Sequence, residues 1–380
     1  MKILIVSSYF GNVLGGALNF VKDLYFELES RNHLVTLMLD DRYKKLFSEQ
    51  EFNIIWYSSK EITAYSPSLS FLKQLSRIDV DVIHLNGYMS FQTDFGSFIG
   101  FLRKIPLVIT PHGSLLGYDY LYDSSKSKIP YHIHDILTMK LPTKFAKYVI
   151  ATSKAEFDDC KKFGISKNKI KLIPLSFTLK NINISEKVSF NTKNILFVGR
   201  IVPLKNLDKL IKSIAILKKD FPNIKFTIVG DEIKGRLLGD VGYKKQLEIL
   251  ITKLNLDENI NFVGWTTDNA LWEYYSKSDL FLFGSTYENF GRPLLEAAFF
   301  RIPLVSTNVG VARDLIGDDQ GGIILKNLDE QYVSDNIKEL LTNEKKYQKA
   351  SKHVKSSANN FSIKNVCDKY EKIFQEVIKN

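Results

Sequence analysis

Cysteine is nearly absent: Cys160 and Cys367 are the only two in 380 residues, far apart and outside any CxxC or His–Cys spacing. That scarcity excludes a disulfide framework and a Cys/His zinc site, and it fits a reducing cytoplasm. No run of about 18 uncharged apolar residues occurs, which excludes a transmembrane helix on the sequence pattern. The N-terminal MKILIVSSYF is apolar but too short and too β-branched for a secretory leader, and it predicts a first strand. No nucleic-acid-binding motif accompanies the net charge of +10, so the excess of base does not point to DNA or RNA.

What is present is ordinary for a globular chain: 44% apolar and 25% charged residues, at a length that suits two domains. The basic excess is uneven, with eleven lysines facing four acids between positions 126 and 171. There the stretch TMKLPTKFAKY interleaves lysine with apolar side chains. Such a stretch suits an anionic membrane or an anionic lipid-linked substrate; the alternative is a solvated helix face.

Short β-branched runs alternate with longer amphipathic segments. Strands are expected at Lys2–Ser7, His33–Leu39, Asn53–Tyr57, Asp81–Leu85, Leu107–Thr110 and Tyr148–Thr152, with helical patterns such as Ala17–Ser30 and Tyr131–Lys147 between them. Ser153 and Glu156 have the spacing of a helix capping box. Residues 174–193 turn polar and Asn/Ser-rich, as a linker would. The rhythm then restarts at Asn194–Val198, Lys225–Val229, Ile260–Val263, Asp279–Phe283, Pro303–Ser306 and Gly322–Leu325, and Phe361–Lys379 reads as a long helix. Two doubly wound α/β domains follow from this pattern, and such domains bind ligands at the carboxyl ends of their strands.

Several residues with chemical potential fall at those ends. After the first strand, a Gly-Gly pair ending in Gly16 opens a helix and suits close approach of an anion. His112, between Pro111 and Gly113, follows a strand and is suited to hydrogen-bond a hydroxyl or carry a proton. His84 reads as a core or supporting residue. In GRIVPLKN, Arg200 and Lys205 set two cations beside a helix start, which suits a pyrophosphate. The strand NFVGW places Val263 where main-chain groups can read a nucleobase edge. In STYENFGRPLLEAA, Pro293 suits the first position of a helix. Glu288 then belongs to the loop, where it can hold sugar hydroxyls, and Glu296 to the first turn of the helix, where it can accept from a ribose diol. The amides near Asn289, Phe290 and Gly291 face phosphate or sugar.

In this order, the GG loop, PHG, GRxxxxKN and above all the E-x7-E of ENFGRPLLEA resemble the retaining nucleotide-sugar glycosyltransferases of family 4, the group related to glycogen and sucrose-phosphate synthases. The resemblance implies an α/β, GT-B fold: two Rossmann-like doubly wound domains facing a central cleft. It implies an acceptor domain over residues 1–175, completed by a C-terminal helix at 362–380, and a nucleotide-sugar domain over 176–361. By position, Arg200 and Lys205 would neutralise the donor diphosphate, Glu288 would hold the donor sugar and Glu296 the ribose. His112 would orient the reacting centre, and Gly16 would sit on the phosphate and acceptor side. His112, Glu288, Arg200 and Lys205 are the implied catalytic set.

The reaction implied is front-face transfer with retention. No cofactor and no metal is expected, and the donor is a UDP-sugar ahead of a GDP-sugar. The acceptor expected is a saccharide, glycolipid or lipid-linked oligosaccharide in cell-surface glycan synthesis, on the cytoplasmic side with possible peripheral contact with an anionic membrane. A nucleotide-sugar epimerase and a non-catalytic sugar-nucleotide-binding subunit are the alternatives on the same architecture. Arg301, Val311 and Asp314 depart from the common family pattern near the donor side.

Overall fold

The computed structural model describes residues 1–8, 16–60, 65–121, 125–177, 190, 192–232, 242–266 and 268–379. The chain divides into two compact units: Met1–Thr178 with Phe361–Asn380, and Leu179–Asn360. Most of the expected linker at 174–193 lies outside the described residues.

In the first unit β1 (Lys2–Ser7), β2 (Leu34–Asp40), β3 (Ile54–Tyr57), β4 (Val82–Asn86), β5 (Leu107–Thr110), β6 (Tyr148–Ala151) and β7 (Ile170–Leu172) form one parallel sheet. Its order is β3-β2-β1-β4-β5-β6-β7. Every residue of β4 and β5 is buried, as a parallel sheet covered on both faces requires. The helices are α1 (Gly16–Ser30), α2 (Leu69–Leu75), α3 (Phe91–Leu102), α4 (Gly117–Leu121), α5 (Ser125–Leu137), α6 (Leu141–Phe145) and α7 (Lys154–Lys162). The helical pattern at 131–147 is therefore not one helix. Met139 and Lys140 take left-handed backbone angles (φ 48° and 54°), and α6 starts afresh with Pro142 in its first turn. Periodicity ran across a turn that it could not detect.

A charged cluster holds α5 to α3. The His134 ring nitrogens meet Asp94 at 2.9 Å and Asp135 at 3.3 Å, while Tyr65 donates to Asp94 and Tyr88 to Asp135, each at 2.8 Å. Burial opposes the imidazolium, but the hydrogen bonds it donates to both carboxylates prevail and push its pKa up to about 9. A folded pKa above the unfolded one means stabilisation that is complete below about 6.5 and lost as pH rises through about 9. Amide exchange in 125–137, corrected for intrinsic rate, should therefore accelerate between pH 7 and 9.5. Unchanged protection across that window would remove His134 as the tether.

In the second unit β8 (Asn194–Val198), β9 (Lys225–Val229), β10 (Ile260–Gly264), β11 (Leu280–Phe283), β12 (Leu304–Thr307) and β13 (Gly322–Leu325) form a parallel sheet ordered β10-β9-β8-β11-β12-β13. Around it lie α8 (Leu207–Leu217), α9 (Tyr243–Lys253), α10 (Asp268–Ser276), α11 (Arg292–Phe299), α12 (Ala312–Ile316), α13 (Glu330–Thr342) and α14 (Glu344–Ala358). Leu207, Leu210, Ile211, Ile214 and Leu217 of α8 recur on one face and are fully buried.

The last helix, α15 (Ile363–Lys379), belongs to the first unit. It buries Val366, Tyr370, Phe374 and Val377 along one face, with the Tyr370 and Phe374 rings beside His84 of β4. Arg31, just past α1, fastens it by ion pairs to Asp368 at 2.6 Å and Glu371 at 2.9 Å. Both sheets are doubly wound, and strand order reverses between β1 and β4 in one and between β8 and β11 in the other. Those reversals are where such sheets open a crevice at their carboxyl ends.

Candidate functional site

In the second unit, the loops after β8, β9 and β10 are stitched together by main chain. Gly199 donates to the Val229 carbonyl and Gly230 to that of Gly264, both at 2.9 Å, and Ile201 donates to Asp231 at 3.1 Å. Gly230 has φ 129°, and a Cβ there would stand 2.0 Å from the Gly199 carbonyl oxygen. Only glycine permits this approach. Across the point of reversal, the residues after β8 are joined to those after β11 by the Thr286 N–H, which donates to the Leu204 carbonyl at 2.9 Å.

A cavity of about 310 Å³ opens there, lined by Arg200, Lys205 and Glu288, by Gly199 and Gly230, and by Trp265. Lys205 is buried; its ammonium donates to Ser285 Oγ at 3.2 Å, ion-pairs with Glu288, and lies 5.1 Å from the centre of the Phe283 ring. Asn206, in a left-handed conformation at the start of α8, fixes this turn by donating to the Gly284 carbonyl at 2.8 Å and to Thr286 Oγ1 at 2.9 Å. Arg200 is half-buried and has no hydrogen bond or ion pair among the described residues. One cation is thus paired and buried, and the other is open.

The glutamates sit differently. Glu288 stays in the loop, its side chain 27% exposed. Glu296 is buried and does not line the cavity; it accepts from Tyr275 Oη and from Arg292 Nε, each at 2.8 Å. The helix begins at Arg292, so Pro293 is its second residue rather than its first and Glu296 opens the second turn. Either early position spares proline a missing intrahelical bond.

Asn289, Phe290 and Gly291 form the turn into α11, with Gly291 at φ 77°. Gly310 and Val311 hold this turn by donating to the carbonyls of Glu288 (3.1 Å) and Phe290 (2.8 Å). Val311 therefore acts through its main chain, and its side chain is simply buried. Arg301 takes φ 62° in the turn after α11, and Asp314 lies in the first turn of α12.

Val263 is half-buried in β10, whose register with β9 shifts between Phe262 and Gly264. That irregularity turns Trp265 outward, 61% exposed at the cavity. Sequence reasoning passed over Trp265, though a tryptophan directly after a strand-ending glycine was the available signal. No cluster of three or more His, Cys, Asp or Glu able to hold a metal ion occurs among the described residues.

In the first unit, His112 follows β5 in a left-handed conformation, φ 55°, which costs a non-glycine residue on the order of 1–3 kcal/mol. Asn86 Nδ2 donates to the Val6 carbonyl, which turns its Oδ1 toward His112 Nε2 at 3.0 Å. Nε2 is then the donor, and Nδ1, buried and without a partner among the described residues, is an acceptor. Burial lowers the His112 pKa to about 4, so the ring is neutral near pH 7. Ser153 caps α7, and Glu156 does more than a cap requires: its carboxylate accepts from Thr152 N–H at 2.7 Å and from Gly113 N–H at 2.5 Å. The bend that strains His112 is tied down by that second bond. His84 is fully buried and meets Thr110 Oγ1 at 2.8 Å, a core position. Gly16 is the first residue of α1, and the rest of the Gly-Gly loop lies outside the described residues.

Residues 14–178 match the model of glycosyltransferase family 4, and residues 181–357 that of the glycosyl transferases group 1. The chain is 30% identical over 220 residues to the N-acetylgalactosamine-N,N'-diacetylbacillosaminyl-diphospho-undecaprenol 4-alpha-N-acetylgalactosaminyltransferase of Campylobacter jejuni, covering 57% of this chain and 56% of that protein. It is 23% identical over 353 residues to the alpha-monoglucosyldiacylglycerol synthase of Acholeplasma laidlawii, covering 87% and 86%. Among solved structures, Anabaena Alr3699/HepE in complex with UDP superposes with a TM-score of 0.76 at 21% identity, covering 99% of this chain and 100% of that one. At that identity the likeness concerns the fold, which is GT-B.

Proposed function

This chain belongs to the family 4, group 1 glycosyltransferases, and from that premise we propose that it transfers a sugar from a nucleotide donor to a lipid-linked or glycolipid acceptor in capsule or glycolipid synthesis. The observation that carries the reading is the grouping of Arg200, Lys205 and Glu288 around one cavity at the strand reversal of the second unit. Two cations suit a diphosphate, and a loop carboxylate suits sugar hydroxyls. Glu296, anchored by Tyr275 and Arg292, is the carboxylate that the family pattern assigns to a ribose diol. Trp265 offers its exposed face to the base, with the Val263 main chain beside it; Asn289, Phe290 and Gly291 contribute the turn at the head of α11. From the first unit, His112, as a neutral acceptor at Nδ1, is assigned a sugar hydroxyl, and Gly16 a role in phosphate binding.

Transfer proceeds with retention. The acceptor oxygen bonds to the anomeric carbon on the face from which the diphosphate leaves, and the departing phosphate oxygen takes the acceptor proton. The charge that develops on the leaving group falls to Arg200 and Lys205, so the reaction runs without a metal, with UDP favoured over GDP. An acceptor of this kind would be met at the cytoplasmic face of a membrane, and the undecaprenol-linked acceptor in the name of one relative supports that part of the reading.

Melting in the presence of UDP- and GDP-sugars should give the larger rise with a UDP-sugar, because ligand at 100 times Kd adds about 2.7 kcal/mol. Trp265→Ala should weaken UDP about tenfold or more through the lost stacking. Transfer should persist in EDTA and give a product with the donor's anomeric configuration. An inverted product, or no shift with any nucleotide sugar, would overturn the reading.

A further inference from the structure

Large apolar side chains left outside the core concentrate on one part of the first unit. On α5, Ile129, Ile133, Ile136 and Leu137 recur at helical spacing and face solvent, the last two 73% and 76% exposed. His134 lies on the other side of the same helix, buried, where it grips Asp94 of α3. That pair tethers α5 to α3, while the apolar stripe of α5 is turned to solvent. α3 adds Phe98, Phe101 and Leu102 to the exposed set, and Phe101 stacks on Phe145 of α6 at 4.3 Å, which extends the patch onto that helix. Exposed cations rim it: Arg103 and Lys104 at the end of α3, Lys144 and Lys147 on either side of Phe145.

Large exposed apolar side chains gathered on α5, on α3 to which it is tethered, and on α6 mark an interaction site rather than scattered surface exposure. Its pattern, a wide apolar stripe bordered by basic residues, is that of a helix lying in the headgroup region of a bilayer, with lysine stems reaching back to the phosphates. A second copy fits less well, because a two-fold contact would set this basic rim against itself. Among the described residues no helix is long and apolar enough to cross a membrane.

We propose that this face docks on an anionic lipid surface, with α5 in the interfacial plane and Ile133, Ile136 and Leu137 entering the acyl boundary. The inference rests on the lipid-linked acceptor reading above and supplies its mode of approach. Apolar insertion, beyond the attraction of lysine for anionic headgroups, is its distinguishing claim.

The full chain should sediment with vesicles of phosphatidylcholine containing phosphatidylglycerol and less with phosphatidylcholine alone. The variant Ile133→Ser/Leu137→Ser should partition at least about tenfold more weakly, with an unchanged UDP-sugar melting shift that certifies its fold. The proposal falls if the wild type ignores anionic vesicles. It falls equally if the variant binds as well as wild type, or if the wild type dimerises without lipid and the same variant is monomeric. If no nucleotide sugar shifts the melting while vesicle binding and its loss in the variant persist, the donor reading fails and the docking surface stands.

Discussion

Alanine at Lys205 is expected to lower transfer by about two to three orders of magnitude, the usual loss when one fixed charge-stabilising donor is removed from an active site. The ammonium is buried and held on two sides by Ser285 and Glu288, which leaves one of its three N–H groups for a ligand. It needs no reorganisation when charge develops on a leaving phosphate. The fold should survive, because the abandoned Glu288 is partly exposed and water can take the place of the ammonium. Lys205→Arg should rescue little, since a planar fork cannot occupy a point-charge site closed by Phe283. Glu288→Ala in the Lys205→Ala background should add far less than it costs alone, because the two act as a unit. Turnover measured beside a melting curve decides the matter: near-wild-type rates in Lys205→Ala would remove this residue from the chemistry.

Gly230→Ala should cost the second unit on the order of 3 kcal/mol and weaken nucleotide binding as well. The added methyl would overlap the Gly199 carbonyl oxygen, and both atoms concerned are main chain, so no side-chain rotation relieves it. Relief requires the loops after β8 and β9 to part, which moves Arg200. Gly242 supplies the control: it has φ 105°, but a Cβ added there would meet none of the described residues within 4 Å. Gly242→Ala should therefore cost only about 1 kcal/mol from backbone conformation and leave nucleotide binding alone. Denaturant unfolding of both variants, followed by a UDP titration, makes the comparison. Equal losses in the two would mean that backbone angle, and not contact, governs Gly230.

The twelve strands expected from β-branched runs all exist, most within a residue of their bounds, because a parallel sheet buried on both faces writes itself as short continuous apolar segments. β7 escaped notice: it is three residues at a sheet edge, with one lysine among them, too short to leave a pattern. The break at Met139–Lys140 was hidden because neither residue type advertises a left-handed turn. At the site, Arg200, Lys205 and Glu288 were legible from their place after strands. The pairing of Lys205 with Glu288 was not, since it depends on two loops 83 positions apart meeting in space. Glu156 looked like half of a helix cap, and its hold on Gly113 is likewise a long-range fact. The apolar stripe of α5 was present in the sequence, but periodicity does not say which stripe of a helix faces the core.

The return of α15 to the first unit has a consequence for how the chain is made. Synthesis proceeds from the N-terminus at about 5–20 residues per second, and domains generally fold in that order. Here the first unit draws Tyr370 and Phe374 for its interior from the final seventeen-residue helix. The unit begun first is completed last, after the whole of the second has emerged. Until then the surface that will receive Tyr370 and Phe374 beside His84 stays uncovered on the nascent chain, and a premature stop within the last helix injures the opposite end of the sequence.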